Sequence, residues 1–160
     1  MVQQTLDTPT DLLHFQLRTA VTMENDSLAA LGELAGAAKS AEVKKLFRHH
    51  ADETREQLAN LEKIFAQLEY KQTTAPSPST KGISKQAASL LERSSTKLRD
   101  QVAVSCALGN EHYEISAYQG LILPARTMGL SDVVTPLTAN LEQETHTSEE
   151  LRKTLEKIVA

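Results

Sequence analysis

The chain has 160 residues, 40% of them apolar, with only 6 glycines and 5 prolines, a composition that suits one helical domain with a real core. A formal charge of −4 excludes a broad attraction for nucleic acid, and the single cysteine, Cys106, excludes an intramolecular disulfide framework. No apolar run approaches the ~20 residues that cross a bilayer, and the first residues lack the basic and apolar parts of a secretory leader. The expected location is the cytoplasm.

Thr8-Pro9-Thr10-Asp11 predicts a helix start, with Thr8 as cap, Pro9 at the first helical position and Asp11 closing a capping box. This helix is expected to run to about Gly36, and a second from Ser40 or Ala41 to about Tyr70. The short break makes the two antiparallel neighbours. Residues 71–82 are polar and contain proline, which predicts a linker. Beyond Gly82, a short amphipathic piece with Ile83, Ala87, Leu90 and Leu91 is expected to pack across one end of a bundle. A third helix is expected over 97–127, its end bent or shortened by Pro124. Gly129 provides a stop, and Ser131 or Asp132 a cap for a fourth helix, whose start Pro136 could push toward Thr135. The predicted fold is all-α: a ferritin-like four-helix bundle over residues 1–160, with a long crossover carrying a short extra helix.

Each predicted long helix carries an apolar stripe at three-then-four spacing, and each stripe is interrupted by a glutamate. The first runs Leu13, Leu17, Ala20, Glu24, Leu28, Leu31. The second runs Val43, Leu46, His50, Glu53, Gln57, Leu61, Ile64, Leu68. The third is Val104, Leu108, Glu111, Ile115, Tyr118, Ile122, and the fourth Leu137, Leu141, Glu144, Ser148, Leu151, Leu155, Ile158. An unpaired inward carboxylate is costly, and no lysine or arginine lies on these stripes to neutralise one. A shared divalent cation is the simplest partner. The expected metal ligands are Glu24, His50, Glu53, Glu111, Glu114 and Glu144, with the choice between Glu111 and Glu114 open. Oxygen and imidazole donors without thiolate suit iron or manganese, as two ions, with zinc also possible. Gln57 is expected behind the ligands, and His14, His49 and His112 away from them.

Three segments carry a family resemblance: His50-Ala51-Asp52-Glu53-Thr54, Glu111-His112-Tyr113-Glu114-Ile115-Ser116-Ala117-Tyr118 and Leu141-Glu142-Gln143-Glu144. With Thr10-Asp11-Leu12-Leu13 and Thr22-Met23-Glu24, the chain resembles the YciE/YciF-like ferritin-like bacterial stress proteins over about residues 8–158. The resemblance implies a bundle that pairs as a homodimer, a di-metal carboxylate site and a link to stress. The chain departs from better understood di-iron bundles, which use Glu-x-x-His. Helix two reads His50-x-x-Glu53, and helix four reads Glu144-x-x-Thr147 with His146 roughly 200° away around the helix. Oxidase or peroxide-consuming activity is the redox chemistry expected of such a site, and the departures weigh more against ferroxidase or oxygenase activity than against metal binding. The competing expectation is a non-enzymatic interaction module whose inner carboxylates are protonated. A DNA-protecting mini-ferritin is disfavoured by the negative charge.

Overall fold

The structure is a computed structural model that describes residues 5–160, so the first four residues of the expected domain lie outside it. It is all-helical among the described residues: α1 (Pro9–Ala37), α2 (Ala41–Gln67), α3 (Pro78–Arg93), a 3₁₀ turn (Thr96–Leu98), α4 (Arg99–Thr127) and α5 (Ser131–Val159). The expected capping box opens α1: Asp11 N–H donates to the Thr8 hydroxyl at 3.1 Å, and Thr8 N–H donates to the Asp11 carboxylate at 3.0 Å. Ser40 caps α2 by accepting from Val43 N–H.

Contacts at the helix ends fix the connectivity. The N–H groups of Lys39 and Ser40, just past α1, donate to the Asp100 carboxylate at the start of α4, at 2.6 and 3.0 Å. Gln67 at the end of α2 donates to Asp132 at the start of α5. So α1 runs antiparallel to α2 and α4, and α5 antiparallel to α2 and α4. The chain between α2 and α4 must therefore travel the length of the bundle, which is the ferritin-like arrangement. Its extended part is laid along α1. Ala75 N–H donates to the Arg18 carbonyl at 3.1 Å, and the Thr22 hydroxyl to the Ala75 carbonyl at 2.6 Å.

Five local expectations are corrected. The linker ends at Ser77, because Pro78 opens α3 at a first-turn position where its missing N–H costs nothing. α3 lies along α1 and α4 rather than across an end, pinned by a 2.7 Å hydrogen bond from Thr80 to Asp26. Pro136 is absorbed inside α5, which starts at Ser131 rather than near Thr135; α4 ends at Thr127 as expected, with Pro124 inside it. Each proline leaves one carbonyl without its helical partner, on Gly120 and Asp132, and both are exposed residues where water can serve. Neither Ser131 nor Asp132 caps α5 with its side chain. His14, expected in solvent, is half-buried and stacked on Tyr70 with ring centroids 4.1 Å apart.

The core is split in two. One apolar cluster includes Leu13, Leu17, Leu61, Ile64, Phe65, Leu121 and Leu137. The other includes Leu31, Leu34, Val43, Phe47, Val104 and Leu151. The buried residues lying between them along the four long helices are polar.

Candidate metal centre

Helical spacing brings the polar layer together. Glu24 lies near the middle of α1, Glu114 and Glu111 near the middle of α4, and Glu144 near the middle of α5. All four are buried to 3% exposure or less. One carboxylate oxygen from each of Glu24, Glu114 and Glu144 lies within 4.8 Å of the other two. Glu111 lies beside them, close enough to Glu144 for each carboxyl to act on the other.

Burial pushes the Glu24 carboxyl up to about 8, against a smaller lowering by the Tyr118 hydroxyl. Glu111, Glu114 and Glu144 also lie well above the ordinary carboxylate range. Burial is the first cause for each; the nearest like charge is the second: Glu114 for Glu111, Glu144 for Glu114, and Glu111 for Glu144. Effective desolvation of one ion costs roughly several kcal/mol. Four unpaired charges would then exceed the roughly 5–15 kcal/mol that holds a domain folded. Among the described residues no lysine or arginine pairs with any of them. The cluster must therefore hold protons or cations.

The α2 residues sit differently. The inward face of α2 centres on Val43, Phe47, His50, Thr54, Gln57 and Leu61, so Leu46, Glu53 and Leu68 are only half-buried. Glu53 stands at the rim of the layer, accepting from the Thr147 hydroxyl at 3.1 Å and 3.5 Å from His49. Burial raises its carboxyl modestly, and its charge acts on Glu111 and Glu144. His50 is buried but turned toward α5, with Nε2 3.5 Å from Glu150. Burial drives its imidazole down to about 4, so it is neutral near pH 7. The structure thus brings together Glu24, Glu111, Glu114 and Glu144, places Glu53 beside them, and gives His50 a different neighbour.

Further groups complete the layer. The buried Tyr118 hydroxyl donates to Glu24 Oε1, and the Asn140 amide donates to the Tyr118 oxygen at 3.0 Å. The Asn110 amide donates to the Ser27 hydroxyl at 3.2 Å, and this polar pair lowers the Glu114 carboxyl against its burial. The sequence places Tyr118 only as a member of an apolar stripe and gives no signal at Asn140. The available signal was spacing: Tyr118 is one turn beyond Glu114, on the same helix face.

A divalent cation fits this donor set. Glu24 Oε2, Glu111 Oε2, Glu114 Oε1 and Glu144 Oε1 are each buried with no hydrogen-bond partner. Buried oxygens of this kind are normally satisfied, and the set is all carboxylate, the hard donor type that manganese, iron and magnesium accept. Cys106 is not in the cluster.

The comparisons agree with the architecture. YcfI from Rhodopseudomonas palustris superposes with a TM-score of 0.91 at 28% identity, over 95% of this chain and 98% of that one. The Escherichia coli stress protein YciF gives 0.90 at 24% identity, over 96% and 98%. A Xanthomonas campestris protein gives 0.78 at 24% identity, over 95% and 94%. No curated protein matches the sequence. The model of the family described as "Domain of unknown function (DUF892)" matches residues 8–160, nearly the whole chain including every glutamate of the buried layer, and the protein belongs to that family.

Proposed function

We propose that the protein binds two divalent ions, iron or manganese, in the buried glutamate layer, and does so in a stress setting like the one named for YciF. Zinc is the non-redox alternative for the same donors. The observation that carries the reading is the convergence of Glu24, Glu114 and Glu144 from three helices, with unpartnered oxygens and no basic residue to neutralise them.

Glu24, Glu111, Glu114 and Glu144 would hold the ions, with Glu53 at the rim. Bound there, iron or manganese supplies the electrons that O₂ or peroxide can take up. The protein's own groups set the conditions. Tyr118 holds Glu24 Oε1 and leaves Oε2 free to face the cluster; Asn140 fixes the phenol in turn. The carboxyls give up their protons as cations enter, so binding strengthens as pH rises. The apolar clusters on either side keep bulk water out and make each remaining charge interaction stronger.

Elemental analysis of untagged protein, purified without chelator, tests the reading. About two ions per chain, lost when Glu24→Gln and Glu144→Gln are combined, are expected. No stoichiometric metal after reconstitution with Fe(II) or Mn(II) would leave the second reading, a bundle whose carboxyls are stitched together by protons. The raised carboxyls of Glu111, Glu114 and Glu144, driven up first by burial and then by one another, favour that alternative.

Pairing of two copies belongs to the same proposal. Leu12 and Phe15 of α1 are exposed by 36% or more and, with Tyr113, Ala117 and Leu121 of α4, line a cavity of about 400 Å³. An exposed apolar flank of this kind fits a protein interface. Light scattering giving twice the 17.6 kDa chain mass is the expected result.

A further inference from the structure

The α2–α5 seam holds a second group of metal-ligating side chains that the glutamate layer does not use. His50, on α2, is 2% exposed, and neither ring nitrogen has a hydrogen-bond partner. Its Nε2 is aimed at Glu150 Oε2 on α5, itself buried and unpartnered, at 3.5 Å. His146, one turn earlier on α5, puts its Nε2 3.5 Å from the other oxygen, Glu150 Oε1. A neutral imidazole costs little in a helix surface but much in a core if both nitrogens go unsatisfied.

The spacing separates a hydrogen bond from a ligand pair. An N–H···O bond is normally about 2.7–3.2 Å. Two donors on a tetrahedral zinc, at about 2.0–2.2 Å from the metal, stand roughly 3.3 Å apart. The observed 3.5 Å contacts lie nearer the second value.

We propose that His50, Glu150 and His146 form a second metal site, at the α2–α5 seam, for a borderline divalent ion such as zinc. Two imidazoles and a carboxylate, with an open fourth position, are a familiar zinc donor set. The two histidines approach different oxygens of Glu150, so one must turn for all three to converge. His146 is 65% exposed and is free to do so. His49 and Glu53, 3.5 Å apart, flank His50 on α2, with His49 largely exposed. A surface groove of about 390 Å³, lined in part by His49 and Glu150, gives solvent a route to the seam. Lys45, Lys153 and Lys157 share that lining and oppose a cation at long range, so affinity must come from direct ligand bonds.

The test uses untagged full-length protein carrying Glu24→Gln and Glu144→Gln, in which the inner cluster has lost two carboxylates. Co(II) is added and followed by visible absorption, then displaced with Zn(II) under calorimetry. One ion per chain, with the intense absorption of four- or five-coordinate Co(II), is expected. Adding His146→Ala or Glu150→Gln should weaken binding at least tenfold, whereas His112→Ala, an exposed imidazole on α4, should not change it. These exposed or half-exposed positions keep the test clear of the folding defect that His50→Ala could bring. Absence of binding in the double variant, or binding indifferent to both His146→Ala and Glu150→Gln, would overturn the proposal. The inner site is judged separately, by Mn(II) content of the unsubstituted chain, so the two readings fail independently.

Discussion

Tyr118 and Glu24 show how a single carboxyl is prepared for a cation: one oxygen is tied to a buried phenol and the other is left free. The same carboxyl has its pKa raised from 4.5 to about 8 by burial, which gives the metal-free protein a distinctive pH response. Between those values the folded chain holds a proton on Glu24 that the unfolded chain has released, so stability falls as pH rises. His50 acts oppositely: its lowered pKa makes stability fall as pH drops from 6.5 toward about 4. The clean window is therefore pH 6.5–8, where only the raised groups respond. There the metal-free protein is expected to lose about 1.4 kcal/mol per pH unit for each proton difference, as read by urea denaturation. Glu24→Gln should flatten that slope and remove part of any metal-induced rise in melting temperature; an unchanged slope would mean that Glu24 is ionised in the fold. Glu24, Glu111 and Glu144 were legible because a charge on an apolar stripe violates its periodicity; Glu114 was legible only from its spacing to Glu111. The orientation of His50 was not. Residues three apart differ by about 60° around a helix, and the α2 face is turned toward Phe47 and Thr54, leaving Glu53 at the rim and His50 against α5.

At the scale of elements, α2 and α4 end in the same way. Tyr70 N–H donates to the Phe65 carbonyl, and Leu130 N–H to the Ala125 carbonyl, each across a residue in left-handed conformation. In α4 that residue is Gly129, φ 73°; in α2 it is Glu69, φ 58°. A side chain in this region costs about 1 kcal/mol. A Cβ at Gly129 would meet nothing within 4 Å, so the cost there is conformational rather than steric. Gly129→Ala is expected to lower stability by about 1 kcal/mol, and Glu69→Gly to raise it by a similar amount. Effects of the same sign in chemical denaturation would contradict this assignment. Gly129 announced its turn in the sequence. Glu69 did not, because glutamate carries no turn signal, and the predicted helix consequently ran on to Tyr70. Pro136 misled in the other direction: a missing N–H is tolerated where the orphaned carbonyl sits at an exposed position, and exposure depends on packing.

Across the whole molecule, the long crossover makes the site possible. It returns the chain to the opposite end, so α4 descends beside α1 and α5 rises beside α2, and the midpoints of α1, α4 and α5 fall at one level with Glu53 of α2 at the rim. The four-helix pattern and the crossover were visible in stripes, caps and the proline-containing segment. The placement of α3 along the α1–α4 flank was not, since it rests on Thr80 meeting Asp26, a contact between residues 54 apart. The two apolar clusters above and below the glutamate layer give the fold stability that the layer itself does not provide. Anomalous diffraction from crystals saturated with Mn(II) tests the central claim most directly. The account predicts manganese peaks within bonding distance of Glu24, Glu114 and Glu144; a saturated crystal with no peak there, its carboxyls hydrogen-bonded to one another, would contradict it.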